Sequence, residues 1–199
     1  MVKKPILVSL LIALLLTVAG YGQGETYKID ASHSKVGFSV THMVISEVEG
    51  SFGEYDATLV LDENDMSNSS VNATIQVASI DTDNEKRDGH LRSPDFFDAE
   101  NHAEITFAST SVEKKGDGSY VAHGSLTIRG TTKEVSMPFT VKGPIQDPWG
   151  NTKIGVAGEL SIDRQEYGLS WSKALETGGL VVDNIVKIFI KAEMAKQQS

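Results

Sequence analysis

The sequence predicts an all-β fold of eight antiparallel strands, with a short helical insertion between the third and fourth. Apolar and polar residues alternate in eight separate runs, the signature of strands buried on one face. Turn-forming residues separate several of those runs, and short connections imply antiparallel neighbours. Between Ala78 and Glu104 the alternation stops, which places the insertion.

In order, Val36, Phe38 and Val40 alternate with Gly37, Ser39 and Thr41. Tyr55, Ala57, Leu59 and Leu61 form the second run, and Val71, Ala73, Ile75 and Val77 the third. Ile105 and Phe107 form a shorter fourth. Ala122, Gly124, Leu126 and Ile128 make the fifth, and Val135, Met137, Phe139 and Val141 the sixth. Ile154, Val156, Gly158, Leu160 and Ile162 make the seventh, and Val186, Ile188, Ile190 and Ala192 the eighth. Turn chemistry appears at Arg129-Gly130, at Lys115-Gly116-Asp117-Gly118, and from Pro144 to Gly150. Within the insertion, Thr82, Asp83 or Asn84 suits a helix cap, and Ser93-Pro94 suggests a second helix start. A two-sheet sandwich would give much the same alternation. Closure into a barrel is favoured slightly, because it removes exposed strand edges.

The ends and the composition bound the function. Lys3 and Lys4, the apolar stretch Ile6 to Val18, and the small residues Gly20 and Gly22 describe a secretory leader over residues 1–22. The apolar stretch is short for a membrane span. An exported protein, periplasmic or secreted, is therefore expected, with residues 23–199 as one domain and no stable membrane insertion. The chain has no cysteine, so neither disulfides nor a lipoprotein anchor is available. With 27 acidic against 18 basic residues the surface repels phosphate backbones, and nucleic acid is not an expected partner.

Nothing in the chain reads as a catalytic constellation. The five histidines (His33, His42, His90, His102 and His123) form no helical metal-binding pair, and Gly-x-Ser-x-Gly elbows and phosphate-cradling glycine loops are missing. Asp81, Asp83 and Asp88 could pair for hydrolysis, but capping and solvation account for them more simply. The expectation is a binding protein without catalytic residues, metal or cofactor. A barrel with a packed interior and a structural or stress-protective role is the rival.

An ordered set of motifs then carries a resemblance. Tyr27-x-Ile29-Asp30-x-x-His33-Ser34, Val36-x-Phe38-x-Val40-x-His42 and Gly50-x-Phe52 come first. Ile80-Asp81-Thr82-x-Asn84-x-x-Arg87-Asp88-x-His90-Leu91, Asp95-Phe96-Phe97-Asp98 and Ile105-Thr106-Phe107 follow. Gly124-x-Leu126-Thr127-Ile128-Arg129-Gly130, Asp147-x-Trp149-Gly150 and Arg164-x-x-Tyr167-Gly168-Leu169 complete it. The chain resembles the YceI-like family, bacterial polyisoprenoid-binding proteins with a lipocalin-like barrel. Two positions depart: His102-Ala103 replaces an aromatic-proline pair, and Val156 stands where an aromatic commonly follows the glycine. The second bears on pocket width.

The resemblance implies a lumen that holds the tail of an isoprenoid lipid, such as a polyprenyl phosphate or an isoprenoid quinone, with a homodimer possible. Composition and spacing do not show this. With it, the inward parity nominates Phe38, Val40, His42, Tyr55, Leu59, Ile75, Phe107, Leu126, Phe139, Val156 and Ile188 as lumen residues. Arg87, Asp88, Leu91, Phe96, Phe97, Trp149 and Trp171 are nominated for the mouth or the head group. Each has a structural counterpart: a satisfied core histidine at His42, an ion pair at Arg87-Asp88, and packing or turn anchoring for the apolar residues.

Overall fold

The computed structural model describes residues 24–176 and 178–198; the leader predicted over residues 1–22 lies outside them. Ten strands form one antiparallel sheet: β1 (Glu25–His42), β2 (Ser46–Phe52), β3 (Tyr55–Leu61), β4 (Ser70–Gln76), β5 (Ile80–Asp81), β6 (Glu104–Gly116), β7 (Ser119–Ile128), β8 (Thr131–Gln146), β9 (Thr152–Asp163) and β10 (Val182–Lys196). Eight of them close a barrel in the order β1, β3, β4, β6, β7, β8, β9, β10, with β10 returning to β1. The alternating runs read from the sequence fall on these eight.

Two strands escaped the sequence reading. The lower half of β1 pairs with β3 and its upper half with β2, which carries the two-residue β5 at its edge. Strand β2 hides because Gly50 interrupts a charged run, and a strand glycine usually signals weakness. Here it signals a close approach: a Cβ on Gly50 would lie 2.5 Å from the Phe38 ring.

The turns follow the predicted chemistry. Arg129 and Gly130 both take positive φ (48° and 70°) between the paired Ile128 and Thr131, the geometry of a two-residue hairpin. The insertion contributes one helix, α1 (Glu85–Arg92), capped by Asn84, whose Oδ1 accepts from the Arg87 N–H at 3.0 Å. The second helix start is a correction. Ser93 instead caps the C-terminus of α1, its hydroxyl donating to the His90 carbonyl at 2.7 Å, and turns follow through Asn101. The hydroxyl serves the outgoing helix, which leaves Pro94 in a turn.

The seam between β1 and β10 is held by charge as well as by the ladder. Lys196 pairs with Glu25, and Lys153 bridges Glu193 and Asp30, 3.3 Å from the latter. Hydrogen bonds from Ser32, then His33 and Lys153, hold the Asp30 carboxyl far below the ordinary carboxylate range. Lys196 and Tyr27 lower Glu25 in the same sense. A carboxyl depressed on folding stabilises fully above its unfolded value near 4, and that stability is lost as pH falls toward the folded value. The melting temperature is therefore expected to drop below about pH 4, less steeply for Asp30→Asn. Equal drops in both proteins would place the acid lability elsewhere.

Candidate functional site

The inward parities of the barrel strands enclose a cavity of about 210 Å³. Its wall includes Val36, Phe38 and Val40 from β1, Leu59 from β3, Ile75 from β4, and Phe107 from β6. Leu126 of β7, Phe139 of β8, Val156 of β9 and Ile188 of β10 complete the ring. Apart from Thr58, Arg164 and the Tyr167 phenol, every lining residue is apolar. Small residues at Ala57, Ala73, Ala122, Gly158 and Ala192 keep the space open. At Gly158 a Cβ would stand 3.0 Å from the Pro138 carbonyl, so that wall cannot take a larger residue without moving β8.

One end is sealed. Tyr27 and Tyr120 are buried there, and Tyr120 stacks on Phe139 with ring centroids 5.3 Å apart. The Tyr120 hydroxyl donates to Glu63 at 2.6 Å, and that of Tyr27 to Glu25 at 2.5 Å. Burial, reinforced by the Glu63 contact, pushes the Tyr120 phenol up to about 12. The floor is thus apolar inside and hydrogen-bonded outside. Sequence reasoning quoted Tyr27 in a motif without giving it a role and passed over Tyr120, although Tyr120 continues the β7 alternation into Ala122.

The other end is closed by the insertion and by the segment that leads from β9 to β10. Leu91, Phe96 and Phe97 border the cavity there. Trp171 borders it indirectly, leaning on Phe96 at 5.4 Å and on His90 at 5.3 Å. The Arg129 guanidinium reaches from the β7–β8 hairpin to the carbonyls of Gly168 and, at 2.7 Å, Pro94.

Arg164 anchors this end. It is 4% exposed, and its N–H groups donate to the carbonyls of Asp183 (2.8 Å), Trp171 (2.8 Å), Val182 (3.2 Å) and Leu169, and to Asn184 Oδ1 (3.4 Å). Burial lowers its pKa, opposed by the charges of Asp163 and Asp183. The sequence quoted this arginine in a motif but gave it no task. Its task in the fold is to bind the ends of the 169–184 segment together.

Five nominations need correction. His42 does not border the cavity: it is the last residue of β1, beyond the wall residue Val40, paired with Ser46 of β2 and Val182 of β10. Tyr55 also lies outside the lining; its hydroxyl donates 2.7 Å to the Ser34 carbonyl, beside the irregular stretch of β1. Arg87 and Asp88 form neither a mouth nor a mutual ion pair. Both grip Thr82: Asp88 accepts from its N–H (3.0 Å) and hydroxyl (2.5 Å), while Arg87 donates to its hydroxyl (2.7 Å) and carbonyl (2.6 Å). Trp149 is 83% exposed in the β8–β9 turn at the sealed end.

Outside the barrel, Asp30, His33 and Glu193 bring possible metal-ligating atoms within 4.8 Å of one another. Lys153 already neutralises Asp30 and Glu193, so this group is an ion-pair cluster of the seam.

Comparison with known proteins agrees with this architecture. The YceI-like domain model matches residues 27–194. A UPF0312 protein of Pectobacterium atrosepticum is 37% identical over 172 residues, covering 85% of this chain and 88% of that one. A UPF0312 protein of Staphylococcus aureus is 36% identical over 170 residues, covering 85% and 96%. Among solved structures, Burkholderia cenocepacia BcnA superposes with a TM-score of 0.73 at 26% identity, covering 83% of this chain and 98% of that one. A polyisoprenoid binding domain from Saccharophagus degradans shares the fold (TM-score 0.65, 14% identity, covering 86% and 98%). With the domain match spanning the barrel from Tyr27 in its floor to Met194 in its last strand, the chain belongs to the YceI-like family.

Proposed function

We propose that the protein is an exported carrier or sequestering protein that holds the tail of an isoprenoid lipid, a polyprenyl phosphate or an isoprenoid quinone, inside its barrel. The carrying observation is the apolar cavity, walled by inward side chains of all eight barrel strands, with Tyr27 and Tyr120 buried beyond it against the wall residues Ala122, Phe139 and Met194. The shared fold of the polyisoprenoid binding domain from Saccharophagus degradans supports the same reading. Burying one methylene contributes on the order of 0.8 kcal/mol, so each five-carbon unit supplies a few kcal/mol before ordering and association are subtracted. Several units therefore suffice without a hydrogen bond. An apolar lumen selects by length and shape, and any choice of head group falls to the polar atoms at the α1 end.

Native mass spectrometry of the purified protein, before and after solvent extraction, tests this. The expected result is a co-purifying mass of several hundred daltons that extraction removes and added isoprenoid restores. A ligand-free mass with no uptake would favour a packed, structural barrel.

A further inference from the structure

The tip of the β1–β2 hairpin presents three consecutive aliphatic side chains to water. Met43, Val44 and Ile45 are 42%, 65% and 86% exposed. The backbone is forced to hold them there. Met43 and Val44 take φ of 52° and 66°, a left-handed conformation that a β-branched residue adopts only where its surroundings enforce it. The enforcement comes from the neighbouring segment: the Met43 N–H donates 2.9 Å to the Val181 carbonyl, and Val44 Cγ2 lies over Gly179, where a Cβ would come within 2.7 Å.

The tip is continuous with the end of the barrel that carries α1 and the 169–184 segment. Val40, just before it, lines the cavity, and so does Val182, which follows its anchor Val181. Ile185, 52% exposed, stands on the adjoining stretch of β10, between the partners of Val40 and His42. From Val36 to Ser46 there is no Asp, Glu, Lys or Arg, in a chain of net charge −9.

We propose that this hairpin tip inserts into the boundary between head groups and acyl chains of a lipid bilayer and seats the α1 end of the barrel on the membrane. The proposal rests on the lipid-carrier reading for its purpose, since a tail held in the barrel has to be drawn from a membrane or returned to one. Area argues for lipid over a second copy of the chain. A stable protein interface needs roughly 800 Å² from each partner, far more than a narrow turn offers, whereas a few aliphatic side chains are enough to partition into a bilayer. The charge pattern sets the lipid class. An acidic body with an uncharged tip gains nothing from anionic head groups, so a neutral, zwitterionic surface is the fitting one.

The chain lacks cysteine, so a single environment-sensitive fluorophore can be placed on Ile45→Cys, with Trp149→Cys at the opposite end as control. Phosphatidylcholine vesicles are expected to shift the emission of the label at position 45 to the blue. High salt should leave that shift unchanged, and the label at position 149 should not respond. Adding Val44→Asp should reduce vesicle affinity by about tenfold, the equivalent of withholding one large aliphatic side chain from the bilayer. No shift at position 45, or equal shifts at both positions, overturns the proposal. A shift that needs no vesicles and grows with protein concentration overturns it in favour of self-association. Isoprenoid uptake from solution by a protein whose tip ignores vesicles would refute the tip and leave the carrier standing. Vesicle insertion without uptake would do the reverse.

Discussion

Val156→Trp is expected to abolish isoprenoid uptake while the barrel stays folded. Val156 faces the cavity from β9 opposite open volume, beside Gly158. An indole there has space to enter without displacing a strand, and what it fills is the path of the tail. Overpacking a tight core costs about 1–3 kcal/mol, so the low end of that range applies where a cavity receives the added atoms. Uptake measured by native mass spectrometry should fall at least tenfold, roughly the discrimination that a lost apolar contact surface gives, while Val156→Leu retains most of it. Unchanged uptake in the Val156→Trp protein would show that the ligand does not run down this lumen.

Arg164→Met is expected to cost about 3 kcal/mol of stability or more, because four main-chain carbonyls and one amide oxygen lose their donors together. A lysine in its place offers a compact charge with three donors instead of a planar fork of five, so Arg164→Lys should recover only part of the loss. Urea unfolding measures both. The same substitution should loosen the 169–182 segment, read as faster amide exchange at Leu169 and Val182, two residues of the cavity wall. A loss under about 1 kcal/mol would mean that water replaces the guanidinium at no great penalty, and that the arginine is not the anchor described above.

Most of the barrel was legible in the sequence because a strand wall with one wet and one dry face has to alternate. Val36-Phe38-Val40 and Val186-Ile188-Ile190-Ala192 declare themselves by period, and both line the cavity. What stayed hidden depends on departures from that period. The irregular stretch of β1 between Asp30 and Lys35 changes which way a side chain faces, because an odd change of register reverses a face, and His42 keeps the parity of Val40 but stands beyond the cavity. Strand β2 was hidden by a glycine whose reason, the Phe38 ring above it, exists only in three dimensions. The roles of Arg87 and Asp88 were hidden for a related cause. Adjacent opposite charges suggest a pair, whereas both side chains turn to the backbone and hydroxyl of Thr82, a contact that needs the bend between β5 and α1. Arg164 was seen without being understood, because its partners are carbonyls, which no sequence pattern marks.

The ladder from Tyr27↔Lys196 to His42↔Val182 joins the first described strand to the last. A ring closed by its first and last strands stays open until the last of them has been synthesised. Its slow step is the meeting of distant segments, which places folding in the millisecond-to-second range typical of such topologies. Until then the greasy inner faces have no opposite wall, and a nascent chain of this kind depends on being kept from its neighbours. The same geometry makes the last strand decisive: a ribosome that stalled before Val182 would release a sheet with two raw edges, a substrate for proteases and aggregation rather than a shorter vessel.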